Sequence, residues 1–406
     1  MKISSNLVLL FFLGLSLSLQ AQNQIEDYAF IGVELDKEWK KGDLSLFSEG
    51  TFGSNAINSQ IFRDVLFNPT FDLEAKSTFL EAEKNRTNLY SNFQNRIDFK
   101  LDSSIGIFVS NQWQVGYYSE KQFSDLLLFG NAQFEGVNVS TDNLGFIQSN
   151  ATKVGLGKKI IDTEKTTIVG SAGLNLVHQY ARINSENSSL YTAQDGEYLD
   201  VKASELSYTS TGNGIVAIGL NIDVDLIYRL NESHSIDVSV ANLNFNRALD
   251  ASYASIDTNF RFEGVQFDVF SEESQFSANL DSTIQGEINS RKSAQQWISL
   301  PTNLSISWNY LLKSKNRIII GAETIEWGDF GVNAYASYHH NFGSKFRLAS
   351  TVGYGNFNGI LWNEALEFRS KKGYHFMVQG FGIHSILSPM NTYNFGLSAG
   401  VSKNIL

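Results

Sequence analysis

The stretch from Gly214 to Arg229 constrains this chain more than any other. Val216, Ile218, Leu220, Ile222, Val224, Leu226 and Tyr228 are apolar, while Ala217, Gly219, Asn221, Asp223, Asp225 and Arg229 between them are small or polar. A period of two gives a strand two faces, and here the faces suit opposite solvents. The apolar row is longer than a soluble strand of about five or six residues needs, and Tyr228 closes it as an interfacial aromatic would. Its length suits the roughly 9–11 residues that carry a tilted strand across a bilayer. A soluble sandwich strand with one wet face can show the same alternation, so the decision rests on the rest of the chain.

Other stretches repeat the pattern. Ile105, Ile107, Val109, Trp113, Val115 and Tyr117 share a face broken only by Asn111, and Gly106, Ser110, Gln112, Gln114 and Gly116 line the other. Residues 151–160 and 166–180 read as a pair around Asp162-Thr163-Glu164-Lys165. Leu304, Ile306, Trp308, Tyr310 and Leu312 alternate with Ser305, Ser307 and Asn309. Further strands read over 317–327, 331–342, 345–357, 359–369, 373–387 and 393–405, joined by turns such as Lys371-Lys372-Gly373. Beyond Asn231-Glu232-Ser233 the phase of Ile236, Val238 and Val240 slips to Leu243 and Phe245, which predicts a bulge. A similar slip surrounds Gly264, between Phe262 and Val265. The polar stretches 184–205 and 272–295 read as long loops on one side of the membrane.

Composition agrees with long hydrogen-bonded strands: 406 residues hold 3 Pro against 32 Gly, and 13% are aromatic. No run after the amino terminus is apolar over about 18 residues, so no spanning helix is predicted. Lys2, the largely apolar run Ile3 to Leu19 and the closing Ala21 read as a cleavable secretory signal over residues 1–21. The chain has no cysteine, which removes disulfides and amino-terminal lipidation. Its net charge of −11, with no basic stripe, excludes nucleic acid as a partner.

An exported chain rich in spanning-length strands points to the cell outer membrane of a Gram-negative cell. Unpaired strand edges cannot face lipid, so the sheet must close on itself. The expectation is an all-β fold, a transmembrane antiparallel β-barrel of about 14 strands, within 12–16, over residues 93–406. Residues 22–92 are less regular. Asp27 to Glu38 and Asp43 to Phe52 read as a weak hairpin, Asn68-Pro69-Thr70 as a turn, and Asp72 to Asn92 as a polar helix. This segment is read either as a plug inside the lumen or as a periplasmic or surface extension.

The run Ser124-Asp125-Leu126-Leu127-Leu128-Phe129-Gly130-Asn131-Ala132-Gln133-Phe134-Glu135-Gly136, then Leu144-Gly145 and Val154-Gly155-Leu156-Gly157, resembles an uncharacterised outer-membrane barrel family, a domain of unknown function. That family is similar in architecture to the long-chain fatty-acid transporter barrels, whose early segment plugs the lumen and carries an Asn-Pro-Ala motif. Asn68-Pro69-Thr70 stands in a comparable place but departs at its third residue. The resemblance implies fold and location, with Asn68 and Pro69 as plug-turn candidates.

Chemistry-bearing clusters are few. The six histidines sit in no catalytic motif, and His339-His340, as strand neighbours, face opposite sides and cannot share a metal. No cofactor, metal or catalytic residue is expected, so the chain is not read as an enzyme. Asp223 and Asp225 share a face and should either attract a cation or take Arg or Lys partners. Trp113, Trp308, Trp327 and Trp362 are expected on the lipid face or in its aromatic girdle. Gln112, Gln114, Asn221, Asp223, Asp225, Ser305, Ser307 and Asn309 are the lumen-lining candidates. The expected function is a passive channel or transporter for a hydrophobic small molecule, by diffusion through a partly blocked lumen with lateral or axial exit. The competing expectation is a non-catalytic assembly component that binds secretion or surface proteins through its loops. Membrane lipid is a partner in both.

Overall fold

The computed structural model describes residues 40–58, 86–211, 214–249, 251–263, 292–294, 297–312, 316–326, 331–343, 345–355, 359–384 and 394–406. The strands are β1 (Asp43–Ser54), β2 (Arg86–Lys100), β3 (Ile105–Glu120), β4 (Asn138–Ser140), β5 (Leu144–Asp162), β6 (Thr166–Ser185), β7 (Ser189–Thr192), β8 (Tyr198–Thr211), β9 (Ala217–Arg229) and β10 (His234–Ala248). They continue as β11 (Ala251–Glu263), β12 (Lys292–Ala294), β13 (Trp297–Ile298), β14 (Thr302–Leu311), β15 (Arg317–Glu326), β16 (Val332–Phe342), β17 (Phe346–Gly355), β18 (Gly359–Arg369), β19 (Tyr374–Phe381) and β20 (Asn394–Asn404). One helix, α1 (Lys121–Phe129), follows β3.

Fourteen of these strands are staves of one closed antiparallel barrel. The ring runs β1, β2, β3, β5, β6, β9, β10, β14 and then β15 to β20 in order, each stave paired with the next. Closure falls at the ends of the wall, where Asp43 lies opposite Asn404 and the Ile405 amide donates to the Gly42 carbonyl at 2.9 Å. Asn404 Nδ2 adds bonds to the Lys41 carbonyl and to Asp43 Oδ1, each 2.9 Å. With both edges paired, no row of backbone donors faces lipid.

The solvent of each face follows from burial. On β9, Leu220 is 59% exposed while its neighbour Asn221 is fully buried. The exposed set is apolar around the ring and includes Ile107, Val154, Leu156, Leu174, Ile306, Ile320, Val352, Leu366, Val378 and Leu397. The buried set is largely polar. A wall that is greasy outside and polar inside is a bilayer-spanning wall. The rim with the short turns and the barrel closure, here the lower rim, carries an aromatic girdle. His234 stacks on Tyr310 at 4.6 Å, and Phe346, Phe368, Phe376 and Tyr374 form a chain of ring contacts of 4.9–6.3 Å. Trp308 lies in the same row as His234 and Tyr310.

Several expectations change. The described part of the segment read as a polar helix, Arg86 to Asn92, is strand, because it pairs with both β1 and β3. The wall therefore begins at Asp43 rather than near residue 93, and β1 pairs with β2 and β20 instead of with a preceding strand. The signal segment, Asp27 to Glu38, the turn at Asn68 and Pro69, and most of the plug lie outside the described residues. The stretch read as a loop over 184–205 contains β7 and the start of β8, and β8 pairs with β11 above the upper rim to form a sheet outside the ring. The strand expected around Phe260 and Phe262 belongs to that sheet and is not a stave. The bulge expected after Val240 is present: the register shifts between Val240 and Leu243, and Asn242 takes a φ of 64°.

Candidate functional site: a two-storey lumen

The upper half of the interior holds a buried apolar cluster, with inward polar side chains such as Asn175, Asn246 and Asn333 around it. Tyr90 from β2, Ile147 and Ala151 from β5, Val177 and Tyr180 from β6, and Ala217 from β9 meet Val216, Ile298 and Leu300 in one buried cluster. Tyr118, Ala248, Ala251 and Ile325 pack against it. Each comes from the upper part of its stave or from a connection just above. At the cluster's edge the Tyr90 hydroxyl accepts from Gln114 Nε2 at 2.7 Å.

Ile298 and Leu300 reach the lumen because β10 holds their segment by its side chains. After the bulge, Leu243 and Phe245 face outward, so Asn242, Asn244 and Asn246 face inward. Asn246 Nδ2 donates to the Ile298 carbonyl at 3.1 Å, Asn244 Nδ2 to the Leu300 carbonyl at 3.0 Å, and Asn242 Nδ2 to the Pro301 carbonyl. Asn244 Oδ1 accepts in return from the Leu300 amide at 3.0 Å. These amides replace the backbone ladder over a stretch where Pro301 has no N–H to offer.

The lower half is polar and charged. Gln112 Nε2 donates to Asn92 Oδ1 at 2.8 Å, and Lys153 Nζ donates to Gln112 Oε1 at 3.2 Å. Arg96 makes a two-pronged contact with Asp98, at 2.8 and 2.9 Å. Asp223 Oδ1 accepts from Asn221 Nδ2 and from the Asn242 amide, at 3.0 and 2.7 Å, and its Oδ2 accepts from Ser171 Oγ at 2.7 Å. Asp225 accepts from Ser239 Oγ at 2.6 Å. Asn309 Nδ2 donates to Asp237 at 2.8 Å and to Ser307 Oγ at 3.4 Å. On the neighbouring arc, Glu367 is gripped by Arg369 at 2.6 Å and Arg347 at 3.1 Å, while His339 is buried against Ser337.

Gln112, Gln114, Asn221 and Asn309 are thus buried on the inner face, and Asp223 and Asp225 share that face in separate hydrogen-bonded settings. Ser305 and Ser307 occupy the same row of β14, half-buried. The Asp223 carboxylate is held by Ser171, Asn221 and the Asn242 amide, and that of Asp225 by Ser239, while the cations of the same region bond elsewhere, Lys153 to Gln112 and Arg96 to Asp98. No group of three or more His, Asp or Glu side chains able to hold a metal occurs among the described residues. His339 and His340 do face opposite sides: His339 is inside, and His340 packs edge-on against Phe342 outside, at 4.3 Å. Sequence reasoning missed Arg96, Lys153 and the Asn242, Asn244, Asn246 ladder. The signal for the ladder was present, since outward Leu243 and Phe245 require inward asparagines.

No family model and no curated protein matches the chain. Among solved structures it is similar to the Pseudomonas putida toluene transporter TodX, at 11% identity over 96% of this chain and 95% of that one, with a TM-score of 0.42. It is also similar to a Pseudomonas aeruginosa FadL homologue, at 6% identity over 90% and 91% with a TM-score of 0.44. A third is the Ralstonia pickettii toluene transporter TbuX, at 8% identity over 90% of each chain with a TM-score of 0.42. These are likenesses of fold at low identity.

Proposed function

We propose that this barrel is a passive outer-membrane channel for a hydrophobic small molecule. The observation that carries the reading is the storey arrangement of the lumen. A greasy cluster fed by four staves, β2, β5, β6 and β9, and a tethered segment is held inside a membrane wall, above a polar floor. An apolar solute leaves water for the upper cluster spontaneously, at about 25 cal/mol per Å² of apolar surface covered. The charged floor offers it no such gain, so the solute is held at the boundary and leaves axially or through the wall. Charged side chains that are already hydrogen-bonded, as Arg96 is to Asp98, Lys153 to Gln112 and Asp223 to Ser171, leave that floor with little pull on a neutral apolar solute.

Mass spectrometry of the barrel extracted gently from its own membranes tests this reading. A stoichiometric lipophile, lost on Val177→Asp, is expected. Stoichiometric protein partners with no small molecule would replace the reading with an assembly role.

A further inference from the structure

Charge is not spread evenly over the lower rim. Three of its junctions adjoin one another around the ring: the turn between β16 and β17, the turn between β18 and β19, and the closure of β20 on β1. They carry six lysines, Lys345, Lys371, Lys372, Lys403, Lys40 and Lys41, against one acidic side chain, Asp43. Asp43 is already engaged, accepting from the Lys40 amide at 3.1 Å and from Asn404 Nδ2 at 2.9 Å. Deeper in the wall, Glu367 is taken up by Arg347 and Arg369. The Lys345 carbonyl accepts from the Arg369 amide at 2.7 Å, which sets the first turn against the second. Ser370 builds the second turn: its Oγ accepts from the Tyr374 amide at 3.0 Å, and its carbonyl from the amide of Gly373, whose φ of 80° reverses the chain. Lys371 and Lys372 are thereby held out in solvent.

Lys40, Lys41, Lys345, Lys371 and Lys372 are exposed, and their ammonium groups have no hydrogen-bond or ion-pair partner among the described residues. Elsewhere on this rim lysines meet acids: Lys159 pairs with Asp162 at 3.3 Å, and Glu164 stands beside Lys165. The basic arc also runs against the sign of the whole chain, whose net charge is −11. On the wall side of the arc lies the outward aromatic row of Phe346, Phe368, Phe376 and Tyr374. Lys403, opposite Tyr374 on β20, has its Nζ 4.3 Å from the centre of that ring and donates to its hydroxyl at 3.1 Å. Girdle aromatics sit at the level of lipid headgroups, so the lysines beside them project to where the phosphates lie.

We propose that this arc binds the headgroups of anionic phospholipids in the leaflet that borders the lower rim. The lysine stems lie along the girdle while the ammonium groups reach the phosphates, as long cationic side chains do at an interface. Several cations close together favour a headgroup that keeps a net negative charge over a zwitterionic one, in which a choline offsets the phosphate. Lys403, held by Tyr374, is a positioned donor at the wall, and the lysines of the turns add charge from the water side. A chain with a net charge of −11 and no such arc would be repelled by the same lipids.

Native mass spectrometry of the folded barrel, titrated in detergent with phosphatidylglycerol or with phosphatidylcholine of the same acyl chains, tests the proposal. Tighter binding of phosphatidylglycerol is expected. The preference should fall about tenfold in Lys371→Gln with Lys372→Gln, because each lysine near an anionic surface contributes a factor of about five. Arginine at the same two positions should keep it. So should Lys158→Gln with Lys165→Gln, which removes the same charge from the far side of the rim. All four positions are exposed, and heat-modifiable migration on gels verifies that each variant is folded. Equal binding of the two lipids by the parent, a preference that survives the Lys371 and Lys372 changes, or an equal loss in the far-side variant would each overturn the proposal. Equal lipid binding together with pelleting on purified peptidoglycan that depends on Lys371 and Lys372 would assign the arc to the cell wall instead.

Discussion

Asn175 of β6 donates to Asn246 of β10 at 2.8 Å across the intervening stave β9, and it does so because the residue between them is Gly219. This contact anchors the asparagine ladder that draws Ile298 and Leu300 into the lumen. It ties the upper apolar storey to the lower polar one.

A side chain at Gly219 should break that anchor. Even a methyl group there would collide with the Phe245 carbonyl and the Asn246 side chain. Gly219→Val is expected to destabilise the barrel by roughly 2–4 kcal/mol, from overpacking plus orphaned amides. Loss of the compact, heat-modifiable band on unboiled gels at lower temperature would show it. An unchanged transition temperature would mean that the ladder bears no load.

Glu367 is the counter-charge that lets Arg347 and Arg369 share the inner wall of β17 and β18. Glu367→Gln leaves two facing guanidinium groups with a neutral neighbour, at a site only 7% exposed. A loss of about 3 kcal/mol is expected, read as a lower urea midpoint in detergent, because breaking one partner of a buried pair costs more than the pair contributes. Restoration by the double change Glu367→Gln with Arg347→Gln would confirm that unpaired charge is the cause.

How much of this was legible in the chain depends on which face a stave presents. β9 and β14 were readable because every outward side chain is apolar. β1 reads only as a weak hairpin strand over Asp43 to Phe52 and the start of β2 reads as helix, and the reason is physical: Ser48 and Asn95 interrupt their outward rows, and Arg96 and Asp98 crowd the inner row of β2. Polar side chains on the lipid face obscured these two staves. β7 and β8 read as loop because they form a sheet outside the ring, where no bilayer demands an apolar row. The individual lumen candidates followed from phase alone, whereas the pairing of Lys153 with Gln112 or of Arg96 with Asp98 needs the closed wall to bring staves together.

The lipid face should reject charge by depth. Leu220→Arg, at a position 59% exposed on the outer row of β9, is expected to cost about 2–4 kcal/mol in bilayers. Folding into vesicles, followed by the same gel shift, measures it. Equal folding of the variant and the parent would contradict the assignment of that face to lipid.

The outer sheet should loosen in acid. Asp200 of β8 accepts two bonds from Arg261 of β11, at 2.7 and 2.8 Å, and Arg261 stacks 3.6 Å over the Tyr198 ring. The hydrogen bond and charge of Arg261 hold the Asp200 carboxyl below the usual carboxylate range. A lowered folded-state value means that the stabilisation is complete above the unfolded value of about 3.9 and is lost as pH falls through the folded one. The side chains are well exposed, so the effect is under about 1 kcal/mol. Pepsin cleavage within β8 and β11 should therefore rise only below about pH 4, and Asp200→Asn should be cleaved at a rate without that step.

The central claim is that the upper storey of the lumen takes up apolar solutes and passes them across the membrane. Transfer of a neutral hydrophobic fluorophore into vesicles holding the purified barrel tests it most directly, with Ile298→Asp as the comparison. The account predicts transfer well above that of empty vesicles, and its loss in the folded variant. Transfer equal to that of empty vesicles, or unchanged by a carboxylate placed in the apolar cluster, would contradict it.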